Sequence, residues 1–370
     1  MKQNQTKSSQ IPPKITRTIL NDIRRGGLKR TLRQDLKDIY NFYIDYKTKE
    51  RLAKMGRIKR WFLLIIWLIK SLILKLSSTR RVLLVISLIL YYIGRSEIQI
   101  DENTTILTSL SQIAYLILLF VLMLELKDKL LAQDELAVGR AVQQAFIPQQ
   151  NPSLNGWTIW LYTQPANDVG GDLVDYLKIS ENKLHIALAD VAGKGLGAAL
   201  LMAKMQATLR ALAPNFRSLA ELGAQVNEIL CRDGLPNRFT SLVYLELEAD
   251  SNSIRFLNAG HMPPILIRAN KSEELPKGMP ALGLDPKSSY NEQQINLNQN
   301  DVLIIYSDGI TEAHNEQGEF FGEQRFFNLV EEFSGLSVDK IGKQILNKVK
   351  NFIGEARHHD DVSLVILKRN

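Results

Sequence analysis

The chain has 370 residues, a single cysteine and a formal net charge of +7. One cysteine excludes an internal disulfide and is compatible with a reducing compartment. The length predicts one domain of ordinary size with additional segments, and no cleavable signal peptide is expected because the first apolar run begins only at Trp61.

The positive charge is concentrated at the N-terminus. Residues 1–60 carry 17 Lys and Arg against 5 Asp and Glu, which predicts a basic arm that meets an anionic surface. Membrane lipid is favoured and nucleic acid is not expected, because the arm runs directly into an apolar region. Apolar residues over 14–59 recur at three- and four-residue spacing, so the arm is predicted to be partly helical and to contact lipid. A solvated basic helix would show the same pattern.

Three apolar runs come next, in a predicted membrane region over residues 61–126. The third run, 106–126, has the length of a bilayer span. The second, 82–93, reaches that length only if it extends to about residue 100. The first, 61–76, contains two lysines, which are costly at the bilayer centre. This run is therefore predicted to lie at the membrane interface.

The charges between these runs predict an orientation. Basic residues cluster between the first and second runs, whereas the loop SEIQIDENTT between the second and third is acidic. Because positive loops stay in the cytoplasm, we expect a two-span hairpin, at about 82–100 and 106–126, with both chain ends cytoplasmic. A three-span arrangement and a soluble protein with these runs as core helices are the alternatives.

A linker helix is predicted over residues 127–152. Its apolar residues form a helical stripe, and Pro148 and Pro152 end it. The helix is expected to continue from the preceding span. It is either a plain connector or a rod that couples the membrane region to the C-terminal segment.

Residues 153–370 alternate strands and helices. About nine strand-like runs are joined mostly by short turns, and helical patterns cover 198–212, 218–231, 323–333 and 337–353. Short turns between strands favour antiparallel sheets over a doubly wound parallel sheet. The predicted fold class is α+β, compatible with two packed antiparallel sheets flanked by helices.

Aspartates cluster at the ends of several predicted strands in this segment. Asp190 ends the run KLHIALAD and precedes a glycine turn, Asp308 lies in LIIYSDGITEA, and the remaining acids are Asp172, Asp175, Asp360 and Asp361. Carboxylates with few histidines predict a hard-metal site, for Mg²⁺ or Mn²⁺ rather than Zn²⁺. The alternative is a set of unrelated acids that cap helices and turns.

The motifs VGGD, DVAGKGLGAALLMA, NAGHMPP, GMPALGL, YSDGITEA and DDVSLVIL occur in this order. Together they resemble the bacterial branch of the PP2C-type metal-dependent Ser/Thr phosphatases, the SpoIIE/RsbU-like group, over about residues 133–369. The resemblance implies an α-β-β-α sandwich and two divalent cations, Mn²⁺ or Mg²⁺, whose bridging water attacks phosphorus in line. It also implies that the cations are held by Asp190, Asp308, Asp360 and the backbone carbonyl of Val191.

Other residues have two interpretations each. Asp172, Asp175 and Asp361 are expected as outer-shell ligands or a third metal position, or else as turn residues. Lys194 is a possible phosphate contact or a solvated lysine. His261 is expected to be structural rather than a general acid, and no arginine is assigned to the substrate phosphate.

The resemblance implies a protein serine/threonine phosphatase, and the apolar runs with their flanking charges predict that it is anchored in a bacterial inner membrane with the phosphatase domain on the cytoplasmic side. Its expected substrate is a phosphorylated regulatory protein, such as a STAS-type anti-anti-sigma factor in sigma-factor or stress signalling. A homodimer through the linker helix is also expected. The alternatives are a hydrolase of small phosphoesters and a catalytically dead, membrane-tethered signalling scaffold.

Overall fold

A computed structural model describes residues 56–93, 95–101, 104–234, 238–356 and 358–370. Most of the predicted basic arm, residues 1–60, lies outside the described residues. The chain forms two compact units, Met1–Lys129 and Leu130–Asn370.

The described part of the first unit contains helices and a β-hairpin. Helix α1 spans Arg57–Lys75 and α2 spans Ser78–Ile93. Strand β1, Arg95–Asp101, pairs antiparallel with β2, Thr104–Ser109. Helix α3, Leu110–Phe146, begins in this unit and ends in the second.

The ends of these helices differ from the sequence prediction. The span predicted at about 82–100 is helical only to Ile93, and the span predicted at 106–126 becomes helical only at Leu110. The intervening segments contain alternating or β-branched residues, whose pattern is typical of strands, and Ile98 pairs with Ile106. The predicted linker is the second half of α3, which ends at Phe146, two residues before a proline.

Among the described helices, only α3 is long and apolar enough to cross a bilayer by length and composition. Helix α2 has 16 residues, fewer than the roughly 20 that a span needs. The two helices contact each other: the hydroxyl of Ser87 donates a hydrogen bond of 2.8 Å to the carbonyl of Ala114. The rings of Tyr91 and Tyr115 meet edge to face, with centroids 5.9 Å apart.

The second unit is built on two five-stranded antiparallel sheets. The first sheet has the order β10 (Gln293–Asn296), β7 (Ser253–Ala259), β6 (Thr240–Glu248), β5 (Lys183–Val191) and β4 (Leu173–Ser180). The second has the order β3 (Trp157–Gln164), β12 (Val362–Arg369), β11 (Val302–Tyr306), β8 (Ile265–Arg268) and β9 (Lys271–Glu274).

Helices cover the outer face of each sheet. Helices α4 (Leu196–Leu212) and α5 (Leu219–Asp233) pack on the first sheet. Helices α7 (Glu323–Phe333) and α8 (Val338–Ile353) pack on the second, where the short α6 (Asp308–Thr311) follows β11. The predicted α-β-β-α sandwich is confirmed, and the four predicted helices lie within two residues of their predicted ends.

Strand β5 shows how the sequence builds these layers. Leu184, Ile186 and Leu188 lie between the two sheets, whereas Ala187 and Ala189 face α4 and α5. Side chains alternate between the faces of a strand, and small residues on the outer face allow a helix to approach closely. Strand β5, which lies between β6 and β4, is therefore buried on both faces.

Candidate active site

The layer between the two sheets changes from apolar to polar at one end. On β5, Leu188 lies between the sheets, and the two-residue period of a strand places Asp190 next on the same face. On the opposing sheet, Ser307 and Ser363 occupy the equivalent end and are fully buried. The sandwich therefore presents a carboxylate and hydroxyl groups where its apolar core ends.

Antiparallel pairing brings Asp308 and Asp360 to the same end. Strand β11 ends at Tyr306, which pairs with Leu364 of β12, so the chain reaches Asp308 where Asp360 leads into β12. Gly309 permits this approach, because a Cβ at that position would lie 2.0 Å from the backbone carbonyl oxygen of Asp361 and 3.2 Å from the carbonyl carbon of Asp360. Glycine is thus required for the two loops to be this close.

Asp190, Asp308 and Asp360 line one cleft of about 360 Å³. Val191 and Lys194 line the same cleft. The structure therefore brings to one cleft the four residues expected to hold the cations, Asp190, Val191, Asp308 and Asp360, from three segments distant in the chain.

The carboxylates perturb each other electrostatically. Burial raises the pKa of Asp190 to about 6, with further contributions from the charges of Asp360 and Asp361. Burial likewise raises the pKa of Asp308 to about 7, and repulsion by Asp190 and Asp360 adds to it. Carboxylates that are both buried and close to like charges are typical of functional sites.

Lys194 provides positive charge at this cluster. Its Nζ lies 2.8 Å from Oδ2 of Asp360 and also donates to the carbonyl of His359. The glycines on either side, Gly193 and Gly195, have φ angles of 118° and 73°, in the region that favours glycine. The turn between β5 and α4 thereby places the side chain of Lys194 next to the acids of the cleft.

Arg238 fixes this turn, and sequence reasoning missed it. Its Nη1 donates a hydrogen bond of 2.5 Å to the carbonyl of Ala192. Its guanidinium also lies against Gly193, where any Cβ would collide with it. The two segments are 46 residues apart in the chain, and no local pattern connects them.

Asp361 and Asp172 hold the loops behind the cleft. The carboxylate of Asp361 accepts hydrogen bonds from the backbone N–H groups of Ala166 at 2.8 Å and Gly171 at 2.6 Å. Asp172 is buried and accepts a 2.6 Å hydrogen bond from the hydroxyl of Ser363. Burial, reinforced by the charge of Asp190, raises the pKa of Asp172 well above its ordinary value.

Asp175 lies elsewhere. Both of its carboxylate oxygens accept hydrogen bonds from Arg210 of α4, at 2.8 and 2.7 Å. Asp175 is three residues from Asp172, and a strand places residues at odd separation on opposite faces. The structure thus brings Asp172 toward the other acids but turns Asp175 toward the helix layer.

His261 lines the cleft, but both of its ring nitrogens are already engaged. Nδ1 lies 2.8 Å from the hydroxyl of Ser241, and Nε2 lies 3.1 Å from the carbonyl of Tyr306. Since a carbonyl only accepts, Nε2 carries the proton and Nδ1 accepts from the serine. Burial lowers the pKa of His261 to about 4. This geometry favours the structural interpretation.

Gln143 connects α3 to the loop behind the cleft. Its side-chain amide donates to the carbonyl of Gly170 at 2.7 Å and accepts from the N–H of Gly170 at 3.0 Å. The next residue, Gly171, donates to Asp361. The end of α3 is therefore joined to the loops behind the cleft through two glycines.

The donor atoms of the cleft suit divalent cations. Three aspartates and Val191 line it, and carboxylate and backbone carbonyl oxygens are ligands that bind Mg²⁺ and Mn²⁺. As the side chains lie, no three His, Cys, Asp or Glu of the described residues are grouped tightly enough to hold a metal ion. A cation bound in this cleft would require the carboxylates to rotate toward a common centre, and its charge would offset their mutual repulsion.

Comparison with known proteins identifies the class. The model of the family described as Stage II sporulation protein E (SpoIIE) matches residues 180–370, just over half of the chain. The chain therefore belongs to the SpoIIE family, and the resemblance stated from its motifs is confirmed. The PP2C domain of SiaA from Pseudomonas aeruginosa has the same fold, with a TM-score of 0.58 at 19% identity over 66% of this chain and 99% of that domain.

Two individual relatives extend over the same region. The chain is 25% identical to the phosphoserine phosphatase RsbU of Bacillus subtilis over 239 residues, which are 64% of this chain and 70% of RsbU. It is 26% identical to protein IcfG of Synechocystis sp. over 267 residues, again 64% of this chain. The match spans only 42% of IcfG, less than half the length of that relative.

Proposed function

We propose that the protein is a Mg²⁺- or Mn²⁺-dependent phosphatase that hydrolyses phosphoserine or phosphothreonine in a regulatory protein. One observation carries the proposal: Asp190, Asp308 and Asp360, from three distant segments, line one cleft in a fold of the SpoIIE family. Acids with these raised pKa values would be costly to keep ionised without a cation.

In this proposal Asp190, Asp308, Asp360 and the carbonyl of Val191 hold two divalent cations. When bound, such ions supply neutralisation of phosphate charge and activation of a water molecule. Lys194 holds Asp360 in place and adds positive charge beside the incoming phosphate. Arg238 keeps the turn that carries Lys194 in its left-handed conformation.

A covalent nucleophile is not part of the proposal. Cys231 lies on α5, outside the residues that line the cleft, and burial raises the pKa of its thiol. A thiol in that state is a poor nucleophile. Ser241, which does line the cleft, uses its hydroxyl toward His261.

The proposed substrate is a phosphorylated regulatory protein, with a STAS-type anti-anti-sigma factor as the candidate. RsbU, with which the chain shares 25% identity, is named as a phosphoserine phosphatase. The cleft of about 360 Å³ admits a phosphorylated side chain of a partner protein. Sigma-factor or stress signalling is the corresponding proposed pathway.

We further propose that the first unit anchors the chain in a bacterial inner membrane. The apolar half of α3 is mostly exposed, and α2 packs antiparallel to it through Ser87 and Ala114. At one end of this pair, Arg80 lies 2.7 Å from Glu125 and 2.5 Å from Asp128. Charged groups favour water over lipid, and the basic residues near Arg80 favour the cytoplasmic side, so this end is proposed to lie there. Helix α1 is proposed to lie at the same interface.

A homodimer through α3 is proposed as well. In the second unit this helix exposes a row of large apolar side chains, Leu131, Val138, Val142 and Phe146 among them. Exposed apolar stripes on helices commonly mark protein interfaces. A second copy of the same helix would cover this stripe.

The proposal is tested by phosphate release from residues 130–370, the compact second unit. With Mn²⁺, the fragment is expected to dephosphorylate a phosphoserine protein, and Asp308→Asn is expected to lower kcat by at least about a hundredfold. Asp233→Asn, a surface acid paired with Arg232, is the matched control and should keep full activity.

Substrate comparison separates the alternatives. Faster turnover of nucleotides than of phosphoproteins would identify a small-phosphoester hydrolase. Absence of any metal-stimulated turnover would favour a signalling scaffold without activity. The topology is tested with cysteines introduced at Ser77 and Ser96 in a Cys231→Ser background, of which only the second should react with a membrane-impermeant maleimide from outside.

A further inference from the structure

A second groove lies between the edge strand β3 and helix α8. Its volume is about 460 Å³, and it shares no lining residue with the cleft of the aspartates. Tyr162 and Gln164 of β3 line one side, and Lys343 and Lys350 of α8 line the other. We call it the β3–α8 groove.

The strand side of the groove is a sheet edge. Strand β3 is the outermost strand of its sheet and pairs with β12 alone. On the side away from β12, the N–H of Leu161 already donates to Oδ1 of Asn151 at 2.8 Å, and the N–H of Trp157 donates to the carbonyl of Leu154. The part of this edge toward Gln164, which lines the groove, is the part proposed to bind an extended peptide.

The helix side of the groove is positively charged. Lys343 and Lys350 are seven residues apart, which is about two helical turns, so they project from one face of α8. Both are exposed, and Lys343 has only a loose contact of 3.5 Å with Asp339. The described residues that line the groove include no Asp or Glu, and Leu346, Val349 and Val362 give it an apolar floor.

The groove ends next to the proposed active site. His358 lines the groove, whereas Asp360 lines the cleft. Their Cα atoms are separated by two residues, at most about 7 Å. The groove and the cleft therefore lie on either side of one short loop, close enough for a single polypeptide segment to contact both.

We propose that the β3–α8 groove binds an extended acidic segment of the phosphorylated protein whose phosphoresidue enters the cleft. This inference rests on the proposed function and adds the charge and conformation of the segment that the enzyme selects. The basic side of the groove complements acidic residues, and its apolar floor and strand edge suit a polypeptide better than a lipid headgroup.

The test uses the full-length chain in detergent with EDTA, so that binding is measured without turnover. The probes are two fluorescent twelve-residue phosphoserine peptides, one flanked by glutamates and the other by glutamines. The double variant Lys343→Glu with Lys350→Glu, the groove pair, is compared with the double variant Lys340→Glu with Lys348→Glu, the control pair. The second pair lies on the same exposed helix and changes the charge equally, but it does not line the groove.

The groove pair is expected to weaken binding of the glutamate peptide about tenfold, because two favourable charge contacts become repulsive. The groove pair should change the affinity for the glutamine peptide less than about threefold, and the control pair should change the affinity for the glutamate peptide less than about threefold. Lys343→Gln with Lys350→Gln should give an intermediate loss, and about 0.5 M salt should reduce the difference between the peptides.

Equal losses with both lysine pairs, or no loss with either, would overturn the proposal. Displacement of the peptide by short-chain phosphatidylglycerol, together with loss of lipid binding in the groove pair, would assign the groove to lipid instead. Peptide binding is measured by fluorescence anisotropy in EDTA and does not depend on catalysis. If the proposed function is wrong, this is seen separately, as absence of phosphate release with Mn²⁺.

Discussion

Neutralising Asp308 should stabilise the phosphatase unit when no divalent cation is bound. In the folded chain the pKa of Asp308 is raised from 3.8 to about 7, first by burial and then by the charges of Asp190 and Asp360. A carboxylate whose pKa is raised by folding does not lower the free energy of unfolding while it is protonated in both the folded and the unfolded state. The cost appears as the pH rises above about 4 and is complete above about 7.

The size of the effect follows from this shift. About three pKa units correspond to about 4 kcal/mol at full strength. The side chain is partly exposed, so solvent screening reduces this to about 1–2 kcal/mol. For a unit of this size, each kcal/mol corresponds to roughly 2–4 °C in melting temperature. We therefore expect Asp308→Asn to raise the melting temperature by about 2–8 °C at pH 8 in EDTA.

This difference in melting temperature is measured by thermal unfolding of residues 130–370 between pH 4 and pH 8, monitored by circular dichroism. The wild-type and Asp308→Asn proteins should converge near pH 4 and diverge as the pH rises. Millimolar Mn²⁺ should reverse their order, because binding stabilises only a site that still holds the ion. An Asp308→Asn protein that is less stable than wild type at pH 8 in EDTA, yet gains as much from Mn²⁺, would refute the reasoning.

Three further changes have defined outcomes. A hydrogen bond with His185, and then the basic neighbours, lower the pKa of Glu246 to about 2. In urea titrations, Glu246→Gln should therefore lower the free energy of unfolding at pH 7 by about 1–3 kcal/mol. The variant should also lose less of its free energy of unfolding than the wild type as the pH falls below 4.5. Gln143→Ala should lower kcat several-fold and also lower the melting temperature, because two hydrogen bonds to the buried backbone of Gly170 are lost. Gln144→Ala, at an exposed position of the same helix, should change neither. Gly342→Ala should cost about 1–3 kcal/mol in the same titrations, since a methyl group there would overlap a buried tryptophan ring; an unchanged midpoint would contradict this packing.

The layers of the fold could be predicted because they depend on local periodicity. Apolar residues at two-residue spacing indicated most strands of the second unit, and three- and four-residue spacing indicated its helices. Strand β9, KSEE, was not predicted because it is polar throughout and lies at a sheet edge. It is formed by the turn at Ala269 and Asn270, whose positive φ angles of 49° and 63° reverse the chain after β8.

The candidate site was only partly accessible from sequence. Motif order selected the three acids of the cleft, but it treated Asp172 and Asp175 alike. The alternation of β4 separates them, since one faces the other sheet and the other meets Arg210 on α4. Arg238 could not be found at all, because its partner Ala192 belongs to another strand end and the contact exists only in the folded chain.

Anomalous diffraction from crystals of residues 130–370 grown with MnCl₂ would examine the metal site most directly. We expect manganese peaks within bonding distance of carboxylate oxygens from Asp190, Asp308 and Asp360, with the peaks lost in Asp308→Asn crystals. Manganese bound only at other positions, or no peak in the cleft at millimolar Mn²⁺, would contradict the account.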